Sequence, residues 1–93
     1  MKADSLSIKV SRLYPLKTDG PLKAFCDIEI NNALLIKGVK VVHGRTGTFV
    51  AMPQEQAKDN KWYDSVRCLN GEVRQQISEE VLSVYEQQTL VTE

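Results

Sequence analysis

Apolar and polar residues alternate in the first third of the chain, with the period of two that is typical of β-strands with one buried face. One such run covers residues 6–11 before Tyr14-Pro15 interrupts it, and a turn-forming sequence follows at residues 18–21. The alternation resumes over residues 22–30 and ends at Asn31-Asn32, a pair suited to a tight turn. The pattern predicts two strands joined as a hairpin, the second being the more regular.

The next apolar stretch, residues 34–41, changes parity at Gly38. A glycine at such a change predicts a bulge or a bend in the third strand. The turn between Gly44 and Gly47 then leads into a fourth strand over residues 48–52. Pro53 is expected to end strand pairing because proline has no N–H group to donate.

The region after this proline has a weaker pattern. Residues 54–61 are polar and carry no periodicity, so a mobile loop is predicted there. The aromatic segment at residues 62–66 predicts a short edge strand.

The last part of the chain has a helical period, with Asn70 placed to cap the first turn through its side-chain oxygen. The apolar positions on one helical face are Val73, Ile77, Val81, Val84 and Tyr85. The predicted fold class is therefore α+β, with an antiparallel sheet of four to five strands followed by a C-terminal amphipathic helix that packs on the sheet.

The length of 93 residues predicts one domain, residues 1–93. A domain of this size buries only roughly 60–65% of the surface of its unfolded chain, so we expect pairing with a second copy to supply further apolar burial. The net charge of zero hides an asymmetry. Residues 1–45 carry eight basic and four acidic side chains, a net charge of +4, and residues 46–93 carry four basic and eight acidic ones, a net charge of −4. The split predicts a basic face that attracts a polyanion or steers two copies together.

Several classes of function find no support in the residues. No apolar run reaches the length of a membrane span or a signal peptide, so a cytoplasmic protein without membrane contact is expected. Cys26 and Cys68 form no Cys-x-x-Cys pair and are expected to be free thiols, and one histidine, His43, cannot complete a two-histidine zinc motif. We therefore predict no enzymatic activity, catalytic residue, metal site or cofactor.

The segment from Gly38 to Pro53 resembles the central signature of the SpoVG family of small bacterial proteins, the stage V sporulation protein G or septation-regulator group. A Gly-x-x-Gly turn leads there into Phe-Val-Ala-Met-Pro at residues 49–53. The similarity extends over nearly the whole chain, to Asp19-Gly20 and to helix positions that include Arg74 and Tyr85. The resemblance implies a homodimeric regulator that binds DNA, RNA or both and is linked to septum formation, cell division and sporulation.

The sequence departs from this family at two places. A Ser-Lys-Arg stretch usually follows Met-Pro in the family, whereas this chain has Gln54-Glu55-Gln56. The His-Pro that usually precedes the helix is replaced by Arg67-Cys68, which returns one positive charge. The departures predict that a nucleic-acid-binding surface has moved or weakened.

Basic residues near the signature and the helix start are the candidates for phosphate binding. The candidate nucleic-acid-binding residues are Lys37, Lys40, Arg45, Lys58, Lys61, Arg67 and Arg74. Trp62 and Tyr63 are placed to stack on unpaired bases, although such aromatics more often pack over the edge of a core. The competing hypothesis is a protein-interaction module, which binds a second copy or a cell-division protein through strand edges and uses its basic face only for docking.

Overall fold

The computed structural model describes residues 6–91, and the side chains of residues 6–88. Four strands form one antiparallel sheet in the order β1-β2-β3-β4, two short strands form a separate ribbon, and one helix packs on the sheet. The elements are β1 (Ile8–Pro15), β2 (Leu22–Ile30), β3 (Leu34–Gly44), β4 (Gly47–Ala51), β5 (Gln54–Gln56), β6 (Trp62–Asp64) and α1 (Gly71–Val91). The predicted α+β class is confirmed.

Strand β1 is longer than the sequence pattern indicates. It continues through Tyr14-Pro15, where an interruption was predicted, and Pro15 pairs with Ala24 on β2. The pairing register shifts between Val10 and Arg12, which changes the parity so that Leu13 becomes the buried residue. A proline is tolerated because β1 is an edge strand. The prediction of an interruption was wrong, because a bulge changes the alternation of buried and exposed residues without ending the strand.

Strands β2 and β3 pair antiparallel and are joined by the predicted tight turn. Asn31 and Asn32 have φ values of 54° and 56°, which suit the tight turn expected at this pair. Gly38 has a φ of +86°, and the pairing register shifts beside it, between Cys26 and Ile28 of the opposite strand. The predicted bulge in the third strand is confirmed.

Residues 54–64 form a hairpin, which corrects the prediction of a mobile loop. Strand β5 pairs with β6, and the amide of Gln54 donates to Asp64 Oδ1 at 2.8 Å. Asn60 takes a φ of +66° in the connecting turn, and Asp59 accepts a hydrogen bond from the backbone N–H of Lys61 at 3.0 Å. The predicted edge strand after residue 61 exists as β6, but its only partner among the described strands is β5.

Helix α1 covers one face of the sheet. Asn70 Oδ1 accepts hydrogen bonds from the backbone N–H groups of Glu72 at 2.7 Å and Val73 at 3.3 Å, so the predicted cap is confirmed. The helix contacts β1, β3 and β4. The buried apolar residues between the two layers are Leu13, Ala24, Cys26, Ile28, Ile30, Val39, Val41, Val50, Ile77 and Val81.

Both cysteines are free thiols, as predicted. Burial of Cys26 in the core, with a smaller effect from the neighbouring Asp27, raises the pKa of its thiol from 9.0 to about 11. Within residues 6–91, no three His, Cys, Asp or Glu side chains lie close enough to hold a metal ion. The single helix of this described range lacks the continuous apolar length needed to cross a bilayer.

Candidate nucleic-acid interface

The strand pairing places Lys40 on the sheet face opposite the helix. Its neighbours Val39 and Val41 are fully buried, so the alternation along β3 directs Lys40 the other way. It pairs with Phe25 on β2 and with Ala51 on β4. Lys40 is therefore a basic side chain in the middle of the sheet, one strand in from the β4 edge.

The β5–β6 ribbon brings an aromatic ring to this lysine. Lys40 Nζ lies 5.9 Å from the centroid of the Trp62 ring, within the range of a cation–π interaction. The ring remains 58% exposed. This contact joins residues that are 22 positions apart in the sequence, and it depends on the ribbon that replaces the predicted loop.

A cleft of about 220 Å³ lies at the β4 edge of the sheet, and we call it the basic cleft. Its charged lining residues are Lys40, Asp64, Arg67 and Arg74, and Phe49 lines it with an aromatic ring. Three basic groups and one carboxylate give this site a formal charge of +2. Residues from the strands, from the segment before the helix and from the first turns of the helix therefore line this cleft together.

Asp64 organises one wall of the basic cleft. Its Oδ2 accepts a hydrogen bond from Arg67 Nε at 3.0 Å, and the two side chains form an ion pair. The hydrogen bond from Gln54, followed by that from Arg67 and by the charges of Arg67 and Arg74, lowers the pKa of Asp64 below its usual range. The carboxylate therefore stays ionised and holds Arg67 at the cleft while neutralising part of its charge.

Arg74 contributes its side chain but not the backbone amides of its turn. The N–H groups of Glu72 and Val73 donate to the Asn70 side chain, and the N–H of Arg74 donates to the Asn70 carbonyl oxygen at 3.1 Å. The amides of these three residues are therefore already engaged by the cap or by the helix itself. Phosphate contact at this point is left to the guanidinium group.

The other candidate residues lie elsewhere. Lys37 lines a second cavity of about 480 Å³ together with Lys40 and Glu55. Arg45 lies in the turn between β3 and β4, and Lys58 and Lys61 lie in the turn of the ribbon. Of the seven predicted residues, the structure therefore places Lys40, Arg67 and Arg74 at the basic cleft and the other four outside its lining.

An acidic side chain lines the second cavity. Glu55 belongs to the segment that the sequence analysis gave as departing from the family resemblance, and it lines this cavity together with Lys37. The Glu55 carboxylate also accepts a hydrogen bond from Ser65 Oγ at 3.1 Å. An acid in this position opposes phosphate binding, so the basic cleft is the better anion site of the two.

Phe49 was treated at the sequence level only as part of the strand signature. In the structure it is 47% exposed, and a methyl group at Gly44 would come within 3.1 Å of its ring. The ring thus lies over a glycine backbone at the wall of the basic cleft. No local sequence pattern identifies Phe49 as a site residue, because the basic residues of the cleft come close to it only in the folded protein.

A four-stranded antiparallel sheet with a helix on one face, and a cleft lined by basic and aromatic side chains at the sheet edge, define a small α+β domain. The chain belongs to the SpoVG family, whose family model matches residues 6–87. A protein named "Putative septation protein SpoVG" from Staphylococcus saprophyticus is 37% identical over 76 residues, which are 82% of this chain and 75% of the relative. Proteins of the same name from Staphylococcus aureus and Staphylococcus haemolyticus are 36% identical over 76 residues, 82% of this chain and 76% of each relative.

Proposed function

We propose that this protein is a non-enzymatic bacterial regulator that binds DNA or RNA through the basic cleft. The observation that carries the proposal is the convergence of Lys40, Arg67 and Arg74 beside two exposed aromatic rings. Phosphate groups are bound by several basic side chains on one surface, and each neutralised phosphate releases counterions. The guanidinium groups can also contact phosphate oxygens in pairs, which a single lysine cannot do.

The proposed cellular role is septum formation, cell division and, in spore-forming hosts, sporulation. This proposal rests on family membership and on the septation-protein names of the relatives. We place the protein in the cytoplasm, where its nucleic-acid ligands would be available, and as a homodimer. Dimerisation is supported by the small size of the domain and by exposed apolar side chains, among them Leu34 at 65% and Leu69 at 94% exposure.

The test of the proposed site is the salt dependence of binding to a labelled oligonucleotide. Replacing Lys40, Arg67 or Arg74 singly by glutamine should weaken binding and reduce the slope of log Kd against log salt concentration by about 0.7–0.9, because one phosphate contact is lost. Arg12→Gln is the matched control, since it removes the same charge on β1, at the opposite edge of the sheet from the cleft. The account predicts little change in slope for this control. Equal changes for all four variants would contradict the assignment of the site.

A protein-interaction module is the second candidate. An apolar groove of about 360 Å³ runs between the sheet and the start of the helix, and Leu34, Leu69 and Met52 line it. Exposed apolar surface of this kind is typical of contacts with another protein. The unmutated protein would then show no affinity for nucleic acid above background even at low salt, whereas the first proposal predicts binding that weakens as salt is raised.

A further inference from the structure

Resting on the proposed nucleic-acid binding, we propose that the ligand of the basic cleft is a single strand. An unpaired base would stack on Trp62, and its flanking phosphates would contact the three basic side chains of the cleft. Stacking on exposed aromatic rings beside a positively charged groove is the way in which proteins bind single strands without reading sequence.

Trp62 is exposed and lies beside a basic side chain. Lys40 Nζ lies 5.9 Å from its ring centroid, while 58% of the residue is open to solvent. The lysine thereby places a positive charge next to the ring and leaves most of the ring surface accessible. A base stacked there would bury apolar area of the tryptophan and bring its phosphate within reach of the same lysine.

Tyr63 has a different role from its neighbour, although both are stacking candidates by sequence. Its hydroxyl group donates to Asp59 Oδ2 at 2.8 Å, and this hydrogen bond raises the pKa of Tyr63 and contributes to lowering the pKa of Asp59. Asp59 also accepts from the backbone of Lys61. Tyr63 therefore stabilises the turn of the ribbon, and the stacking role falls to Trp62.

Phe49 supplies a second ring near Lys40. Both residues line the basic cleft, and Phe49 is 47% exposed. A duplex keeps its bases stacked on one another and presents phosphates and base edges, so it would gain nothing from either ring. A single strand can offer the faces of its bases to both rings. The arrangement thus favours a single strand over a duplex.

The test compares three oligomers of equal phosphate number: a single strand, an abasic strand and a hairpin duplex. We expect the full chain to bind the single strand roughly 5- to 140-fold more tightly than the abasic strand, the factor given by about 1–3 kcal/mol of stacking at 1.4 kcal/mol per tenfold. Trp62 is the only tryptophan in the sequence, so quenching of its fluorescence would report stacking directly. Quenching is expected with the single strand and not with the abasic strand.

Variants of aromatic residues distinguish a loss of base stacking from a general loss of folding. Trp62→Ala should lose the preference for the single strand over the abasic strand, and Trp62→Phe should retain much of it. Tyr14→Ala is the matched control, because it removes an aromatic residue that is 43% exposed on β1. Equal affinity for all three oligomers, unchanged by Trp62→Ala, would overturn this inference and leave the proposed nucleic-acid binding standing. Failure of the unmutated protein to bind any oligomer would overturn both.

Discussion

The conformation of Gly38 shows how one residue fixes the position of the candidate site. Its φ of +86° lies in a region that side-chain-bearing residues rarely adopt, and the register of β3 against β2 shifts beside it. The shift puts Val39 and Val41 in the core and directs Lys40 to the opposite face. The bulge thus determines which side chain of β3 lines the basic cleft.

Gly38→Ala should lower the free energy of unfolding by roughly 1–2 kcal/mol, the cost of placing a Cβ in the left-handed region. Urea denaturation measures this change. Gly71→Ala is the matched control, because Gly71 has no positive φ and a Cβ there would meet no atom within 4 Å. No loss of stability is expected for the control. A loss at Gly71 as large as that at Gly38 would contradict the conformational explanation.

At the scale of elements, the beginning of α1 contributes both to the stability of the helix and to the lining of the basic cleft. The Asn70 cap satisfies the first amides of the helix and sets the position from which Arg74 projects, one turn later. Asn70→Ala should cost about 1 kcal/mol of stability, within a range of roughly 0.5–2 kcal/mol, because two backbone N–H groups lose their acceptor. Thermal unfolding followed by circular dichroism measures the loss.

Asn70→Asp provides the control for the cap, since a carboxylate oxygen can accept the same hydrogen bonds and its charge favours a helix N-terminus. Its stability should match or exceed that of the unmutated protein. If Asn70→Ala and Asn70→Asp were equally destabilised, the side-chain oxygen would not be the stabilising group.

The elements that local pattern predicted well are those whose residues carry their own signals. The alternation of β2, the Asn31-Asn32 turn and the helical period of α1 are each contained in a few neighbouring residues. The β5–β6 ribbon is different, because it depends on side-chain pairs such as Gln54 with Asp64, ten residues apart. The bulge in β1 could not be recognised from the sequence either, because a change in the alternation of apolar and polar residues also occurs where a strand ends.

The candidate site was predictable only as a set of residue types. Lys40, Arg67 and Arg74 were recognised as basic residues near the family signature, but so were four others that lie elsewhere in the fold. Spatial proximity between β3 and α1 follows from the packing of the helix on the sheet, which no short segment encodes. The acidic partner Asp64 went unrecognised as part of the site for the same reason.

For the whole molecule, the distribution of charge restricts where a polyanion can bind. The described part of α1 carries four glutamates, at positions 72, 79, 80 and 86, against one basic residue, Arg74. A nucleic acid laid along the outer face of the helix would meet like charge. The basic cleft at the β4 edge avoids most of this surface, so the net charge of zero is compatible with binding at one edge.

Mapping amide chemical shifts on the labelled protein during addition of a short single-stranded oligonucleotide tests the central claim most directly. The account predicts the largest changes at Lys40, Phe49 and the Trp62 indole, and around Arg67 and Arg74, with little change along β1. Addition of salt alone provides the control for ionic strength. Changes confined to β1 or to the groove around Leu69, or no change beyond that of salt, would contradict binding at the basic cleft.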